Sequence, residues 1–347
     1  MNDRFLRACR RLPVDRTPVW FMRQAGRYMA EYRALRQRYT LLEIVARPDV
    51  AVEVTLQPVN ALEVDAAILF SDLLLPFTPM GLDFDFVKGE GPSIERPIRE
   101  AGDLARLRDF EPRDALGHVL ETIRLVRGEL AGRVPLIGFG GAPFTLAAYA
   151  IEGGPSTTYA TTKAFMYAQP AAWHQLCDRF ASVMGDYLTA QVEAGAQALQ
   201  VFDSWAGALS RQDYREFALP HTARIFAAIR DLGVPVIHFG VGTTAILPEL
   251  AQAGGDVIGV DWRLPLDEAW AILGPDRGIQ GNLDPTLLLG PVDRLLSAAD
   301  DVLRRAAGRP GHIFNLGHGI MPMTRVEHVQ ALARHVHAFA LPTPAAS

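Results

Sequence analysis

Arg23 and Arg27 stand four residues apart in the segment RQAGR, directly after the apolar run PVWFM at 18–22. Two always-charged, forked guanidinium groups where an apolar run opens into a Gly-containing loop suit carboxylates. Asp72 follows a second apolar run, AAILF at 66–70, with Ser71 between. A carboxylate so placed can cap a helix or can face developing positive charge, and both readings stand at this point. Tyr149 lies in a stretch opened by Pro143 and closed by Glu152-Gly153-Gly154, Ser204 follows Asp203, and His318 sits between Gly317 and Gly319. His318 alone admits three roles: general acid–base, ligand donor, or inward-facing hydrogen bonder. Together the set offers cations, carboxylates, hydroxyls and one imidazole, without lysine or cysteine. Such groups can hold a polyanion and answer charge that develops on it.

Composition narrows the chemistry further. Of 347 residues, Lys88 and Lys163 are the only lysines. Lys88 falls in a turn-like VKGEGP and Lys163 in a polar helical stretch, so a Schiff-base mechanism has no well-placed amine. Cys9 and Cys177 cannot supply a disulfide framework, a Cys-rich zinc site or an iron–sulfur cluster. The net charge is −5, yet residues 1–47 carry eleven Arg against four acids. That basic start reads as a solvated or oligomer-facing surface, or as part of a polyanion site; nucleic acid fits poorly with an acidic chain that has no nucleic-acid motif. The first residues lack the apolar core of a signal peptide. The uncharged stretch from Val134 to Ile151 is interrupted by Pro135, Gly138, Gly140, Gly141 and Pro143, so it reads as strand, loop and helix rather than a membrane span. A soluble, cytoplasmic protein is expected.

The elements that must position these groups are short apolar runs bounded by turn residues. They fall at 18–22, 66–70, 134–139, 196–202, 234–239, 256–260, 277–281 and 312–316. Runs of this length fit strands buried on both faces. Helically periodic stretches such as ALGHVLETIRLVRGEL and CDRFASVMGDYLTAQVEAG lie between them. Eight strand–helix units predict a single (β/α)8 TIM-type barrel over residues 1–340, with 341–347 a disordered tail. The alternating GLDFDFVKGEGPSIERPI at 81–98 predicts a β-hairpin inserted after the second strand. Barrel enzymes work at the C-terminal ends of their strands, and the chemistry-bearing residues follow the runs there. His335 and His337, two apart on an expected helix, face different sides and cannot share a metal.

One segment competes. VPVIHFGVGTTA at 234–245 reads as a strand, a G-x-G-x-x-A turn and a helix, with Asp261 near the place of a ribose-binding acid. A dinucleotide-binding reading follows, but an array of βα units produces such spacings by chance.

PVWFMRQAGRYMAEYRALR closely resembles the uroporphyrinogen decarboxylase signature P-V-W-x-M-R-Q-A-G-R-Y-x-P-E-Y, and GFGGAPFTLAAYAIEGG resembles that family's second signature. FSDLLLP, FDSWAG, QGNLDP and FNLGHGI also look like family segments, in the family's order. The one departure in the first signature is Ala30, where the family usually has Pro. The resemblance implies a distorted (β/α)8 barrel, usually homodimeric, that uses no metal and no organic cofactor. It implies that Arg23 and Arg27 bind substrate carboxylates with help from the Gln24, Ala25 and Gly26 backbone. It further implies that Asp72 meets the pyrrole N–H groups and that Tyr149, Ser204 and His318 complete the pocket. The implied reaction is removal of the four acetate carboxylates of uroporphyrinogen III. Rival readings are a zinc-dependent corrinoid methyltransferase, a non-catalytic tetrapyrrole binder and a nicotinamide-dependent oxidoreductase. The first lacks its sulfur ligand, since His238-Phe239-Gly240 contains no cysteine.

Overall fold

The computed structural model describes residues 2–87 and 91–340. Its strands among these residues are β1 (Ala67–Ile68), β2 (Phe84–Val87), β3 (Gly91–Ile94), β4 (Leu136–Gly141), β5 (Ala198–Asp203), β6 (Val236–Gly240), β7 (Val257–Gly259), β8 (Gly278–Gln280) and β9 (His312–Ile313). β1 and β4 to β9 form one all-parallel, seven-stranded sheet in chain order. The weak run at 277–281 is a strand, and the Val134–Ile151 stretch is β4 followed by the helix Pro143–Glu152. Helices pack outside the sheet through one apolar stripe each. In Val292–Ala306 the buried positions are Leu295, Ala299, Val302, Leu303 and Ala306, while Arg and Asp fill the other face.

The first run departs from the expectation. PVWFM makes a single parallel bridge, Val19 to Phe314, rather than a ladder. Phe314 N donates to Pro18 O at 2.9 Å on one side, and Asp65 N donates to Val19 O at 2.7 Å on the other. Pro18 has no N–H to give, which shortens the possible ladder. The ring therefore closes through this segment, and side chains supply the missing bonds. Asp65 accepts from Val19 N at 2.9 Å, Asn2 Nδ2 at 2.9 Å and Arg4 Nη1 at 2.7 Å, and meets His337 Nε2 at 2.7 Å. His335 instead meets Asp300, so the two histidines do face apart. Inside the barrel, Trp20 Nε1 donates to Gln280 Oε1 and Gln280 Nε2 to Gln200 Oε1, each at 3.0 Å. This buried chain crosses the lumen from the first segment through β8 to β5 and fills it, as in a packed barrel rather than a pore.

The hairpin is present: β2 and β3 pair antiparallel, Phe84 opposite Ile94 and Val87 opposite Gly91. Its tip, 88–90 with Lys88, and the 341–347 tail lie outside the described residues. The hairpin docks on the end of the helix Pro143–Glu152, with Ile94 N bonded to Gly153 O and Ile98 N to Ala150 O. Gly153 closes that helix at φ +83°, and a Cβ there would meet Pro97 at 2.6 Å. Among the described residues no helix is long and apolar enough to cross a membrane.

Burial acts to raise the Asp65 pKa, but His337, Asn2 and the Val19 N–H outweigh it and hold the carboxyl below its usual range. A depressed carboxylate contributes stability above the unfolded value of about 4, and loses it as pH falls through the folded value. Asp65→Ala is expected to cost roughly 3 kcal/mol, because it leaves the buried Val19 N–H, Asn2 Nδ2 and His337 without their acceptor, while Arg4 keeps its pair with Asp15. Thermal melts should show that gap at pH 7 and a narrowing of it below about pH 4.

Candidate active site

Gln24 sets the geometry of the RQAGR loop. Its side chain is fully buried: Oε1 accepts from Phe21 N at 3.1 Å and Nε2 donates to Ala66 O at 3.0 Å, beside β1. Its carbonyl accepts from the Tyr28 hydroxyl at 2.6 Å. The Gln24 amide is thus spent on the barrel, and the groups left for a ligand come from its neighbours. Arg23 takes the left-handed conformation, φ +59°, and its side chain is exposed, as is that of Arg27. The backbone N–H groups of Ala25, Gly26 and Arg27 find no acceptor among the described residues. Consecutive free N–H groups beside two arginines have the chemistry to receive a carboxylate.

Asp72 lies just past β1. Its Oδ1 accepts from Leu74 N at 2.9 Å, so it braces a turn, while the following helix, Phe77–Met80, is capped at Pro76. Its other oxygen carries no hydrogen bond among the described residues. Burial pushes the Asp72 carboxyl up to about 6, with the Leu74 N–H and the Arg23 charge pulling the other way. That lies below neutral pH, so the ionised form predominates at pH 7. Tyr149, on the inner turn of the Pro143–Glu152 helix, feels the same two charges; burial and the Asp72 carboxylate push its phenol up to about 12, so it stays protonated as a donor. Its ring lies 5.8 Å from that of Trp205, which in turn is 5.6 Å from Tyr159. Ser204 sits half-buried beside Trp205 at the end of β5.

His318 follows β9 in a strap of two glycines. A Cβ on Gly319 would overlap Arg23 Cδ, and one on Gly317 would meet Trp262 N at 2.7 Å. The glycines let Arg23 and Trp262 pack against the backbone on the two sides of His318. Burial first, and the Arg23 and Arg263 charges after it, pull the imidazole down to about 4, against the opposing pull of Asp261. At pH 7 the imidazole is therefore neutral in nearly all molecules. His318 therefore offers a neutral hydrogen-bonding ring rather than a ready acid.

The structure brings Asp72, Tyr149 and His318 within electrostatic reach of Arg23. Arg27 stands apart from that cluster, its charge felt at Tyr32. The dinucleotide reading of 240–245 does not survive. Asp261 Oδ2 accepts from Gly242 N at 2.5 Å, so a carboxylate already occupies the amide that a pyrophosphate would need. The turn runs into a short 3-10 helix, Thr243–Ile246, and Gly207 packs against Val241 O and Gly242. His238 is fully buried, with Nδ1 facing the carbonyls of Leu250 at 3.1 Å and Gly254 at 3.3 Å. Lys163 Nζ bonds Ala208 O at 2.5 Å. Trp205 and Arg263 join the site without having stood out in the sequence. Both follow strand ends, in FDSWAG and VDWR, and that position was their available signal.

The family model described as uroporphyrinogen decarboxylase (URO-D) matches residues 1–339. The chain is 58% identical over 338 residues to a uroporphyrinogen decarboxylase of Sorangium cellulosum, covering 97% of each chain. It is 55% identical over 349 residues to one of Chloroflexus aurantiacus, covering 99% of this chain and 98% of the relative. Among solved structures, a methyltransferase from Methanosarcina mazei matches with TM-score 0.80 and 23% identity, over 96% of this chain and 97% of the other. That likeness speaks to the fold alone.

Gly319→Ala is expected to push the Arg23 side chain off its seat without unfolding the barrel. Fluorescence titration with oxidised uroporphyrin should show affinity falling about tenfold, the scale of one charge-assisted hydrogen bond. The melting temperature should stay within a degree or two.

Proposed function

The chain belongs to the uroporphyrinogen decarboxylase family and is a carboxy-lyase, and on that premise we propose how its own residues carry the reaction. The substrate has eight carboxylates, four of them acetates. Arg23, Arg27 and the free N–H groups of Ala25 and Gly26 take peripheral carboxylates, and Gln24 holds that loop in place through the barrel. Asp72 faces the pyrrole N–H groups at the macrocycle centre. Tyr149, Ser204 and His318 line the rest of the pocket and orient the acetate that reacts.

The chemistry needs an electron sink. A proton added to the pyrrole carbon next to the acetate arm makes that ring cationic. The bond to CO2 then breaks, and its electron pair neutralises the ring as an exocyclic methylene. The methylene takes up a proton to become methyl, and the ring gives up the proton it first received. Each turn exchanges one carboxylate for one hydrogen, and four turns give coproporphyrinogen III. Asp72 stabilises the cationic ring, because an ionised carboxylate with one oxygen fixed and one free is already oriented when the charge appears. The observation that carries this role is the geometry of Asp72: Oδ1 is fixed by Leu74 N at 2.9 Å, and among the described residues its other oxygen has no hydrogen bond and no cation pairs with it. One barrel domain over residues 1–340 carries the activity, as a cytoplasmic homodimer; light scattering at twice the chain mass checks the dimer.

The direct test is anaerobic incubation of chelator-treated protein with uroporphyrinogen III, the products being oxidised and separated by carboxylate count. Four-carboxylate product without added cofactor supports the reading, and tight binding without turnover overturns it in favour of a carrier. Asp72→Asn should lower kcat by about 10²-fold or more. Near-full activity in that variant would mean that Asp72 does not stabilise the cationic ring.

The pH profile follows from the same group. Asp72 must be ionised, so kcat should fall about tenfold per unit as pH drops below about 6. The acid limb should vanish in Asp72→Asn. It should persist in His318→Asn, because that imidazole is already neutral above about pH 4.

A further inference from the structure

The segment Asp261-Trp262-Arg263 flanks His318 on the side away from Arg23. Gly317 packs against the Trp262 nitrogen and Asp261 Cα, while Gly319 packs against Arg23. Asp261 is buried and accepts from Arg263 N at 2.9 Å, Arg263 Nη1 at 2.5 Å and Gly242 N at 2.5 Å. The Arg263 guanidinium lies 4.3 Å from the centroid of the Trp262 ring. A stack and an ion pair thus hold the side chain in one pose, yet half of it remains exposed. Asp261 engages Nη1, and among the described residues Nε and Nη2 have no partner. An arginine fixed in this way loses little rotamer freedom on binding and still presents a free donor edge.

The substrate explains what that edge is for. A tetrapyrrole with eight carboxylates carries them around its whole rim, and Arg23 and Arg27 both belong to one loop. A neutral His318 adds no charge beside them. We propose that Arg263 is a further substrate-binding residue, which takes a rim carboxylate of uroporphyrinogen on the wall across His318 from Arg23. This rests on the decarboxylase reading above. Asp261 has two jobs in it: it ties the loop at Gly242 and aims the guanidinium. Trp262 supports the guanidinium plane as cation–π stacking does elsewhere.

The test is steady-state decarboxylation of uroporphyrinogen III by the wild-type enzyme and by Arg263→Gln and Arg263→Lys. Arg263→Gln should raise KM about tenfold while kcat stays within about twofold. Arg263→Lys should recover part of that loss, since the charge returns without the fork. The rise of KM with added salt should be shallower in Arg263→Gln, because one ion contact is gone. An unchanged KM in Arg263→Gln overturns the proposal. So does a fall in kcat and melting temperature with KM unmoved, which is the mark of a brace for Asp261 and nothing more. Equilibrium titration with oxidised uroporphyrin reads the same contact without turnover. A wild-type enzyme that binds uroporphyrin but does not decarboxylate defeats the functional reading, and the Arg263→Gln affinity still decides this one.

Discussion

The site depends on closing a ring at its shortest rung. Pro18–Trp20 makes one bridge to Phe314, too little backbone pairing to hold a strand by itself. Three buried side chains complete it. Asp65 receives Val19 N, Gln24 joins Phe21 N to Ala66 O, and Asn315 Oδ1 receives Met22 N at 3.1 Å and Leu316 N at 2.8 Å. Buried acceptors and donors of this kind are costly to leave unmade, so the segment has one register. Arg23 emerges immediately after it, in a left-handed conformation beside the inward-turned Gln24. Arg23 and Arg27 therefore inherit their position from a polar seam on the barrel wall rather than from the loop that displays them.

Electrostatics at the mouth follow from what is kept apart. Asp72 and Arg23 feel each other, yet no salt bridge forms between them. A direct pair would hold the carboxyl well down and spend its charge on the protein. Left without a bonded cation, Asp72 stays near 6, ionised at neutral pH and able to turn toward a cation that appears later. The same crowding drives His318 the other way, since burial and two arginines make its charged form unfavourable. Burial disfavours the charged form of both groups, and Arg23 works with it at His318 and against it at Asp72.

Much of this was legible in the residues. The apolar runs marked all seven ladder strands, including the faint one at 277–281, because parallel strands buried on both faces need no alternation to be seen. The hairpin was legible because its pleat alternates. The first run was legible as a strand but not as a single bridge, since Asp65 and Asn315, which complete it, lie far away in sequence, and Gln24, three residues from the amide it meets, gives no sign that it turns inward. Gln24 was legible as a site residue only through its neighbours: a polar side chain between two arginines gives no sign that it faces inward. Arg263 was missed for the opposite reason. Its partner Asp261 lies two residues away and looks like a surface pair until Gly317 is seen packed beneath them.

The glycine-rich turn at 240–245 shows why a fingerprint alone misleads. In a dinucleotide-binding fold the turn's amides face a phosphate and the acid lies at the end of the next strand, away from them. Here the same letters arise from packing. Gly240 has Thr243 where a Cβ would stand, 2.5 Å from its Cγ2, and Gly242 needs φ +69° to begin the short helix. Asp261, one strand over, reaches the turn because parallel neighbours in a barrel bring consecutive strand ends side by side, and its carboxylate takes the amide at Gly242. An anion site thereby becomes an internal bond. The same carboxylate also holds Arg263, accepting from its N–H at 2.9 Å and from Nη1 at 2.5 Å, so one acid ties two loops together at the barrel mouth.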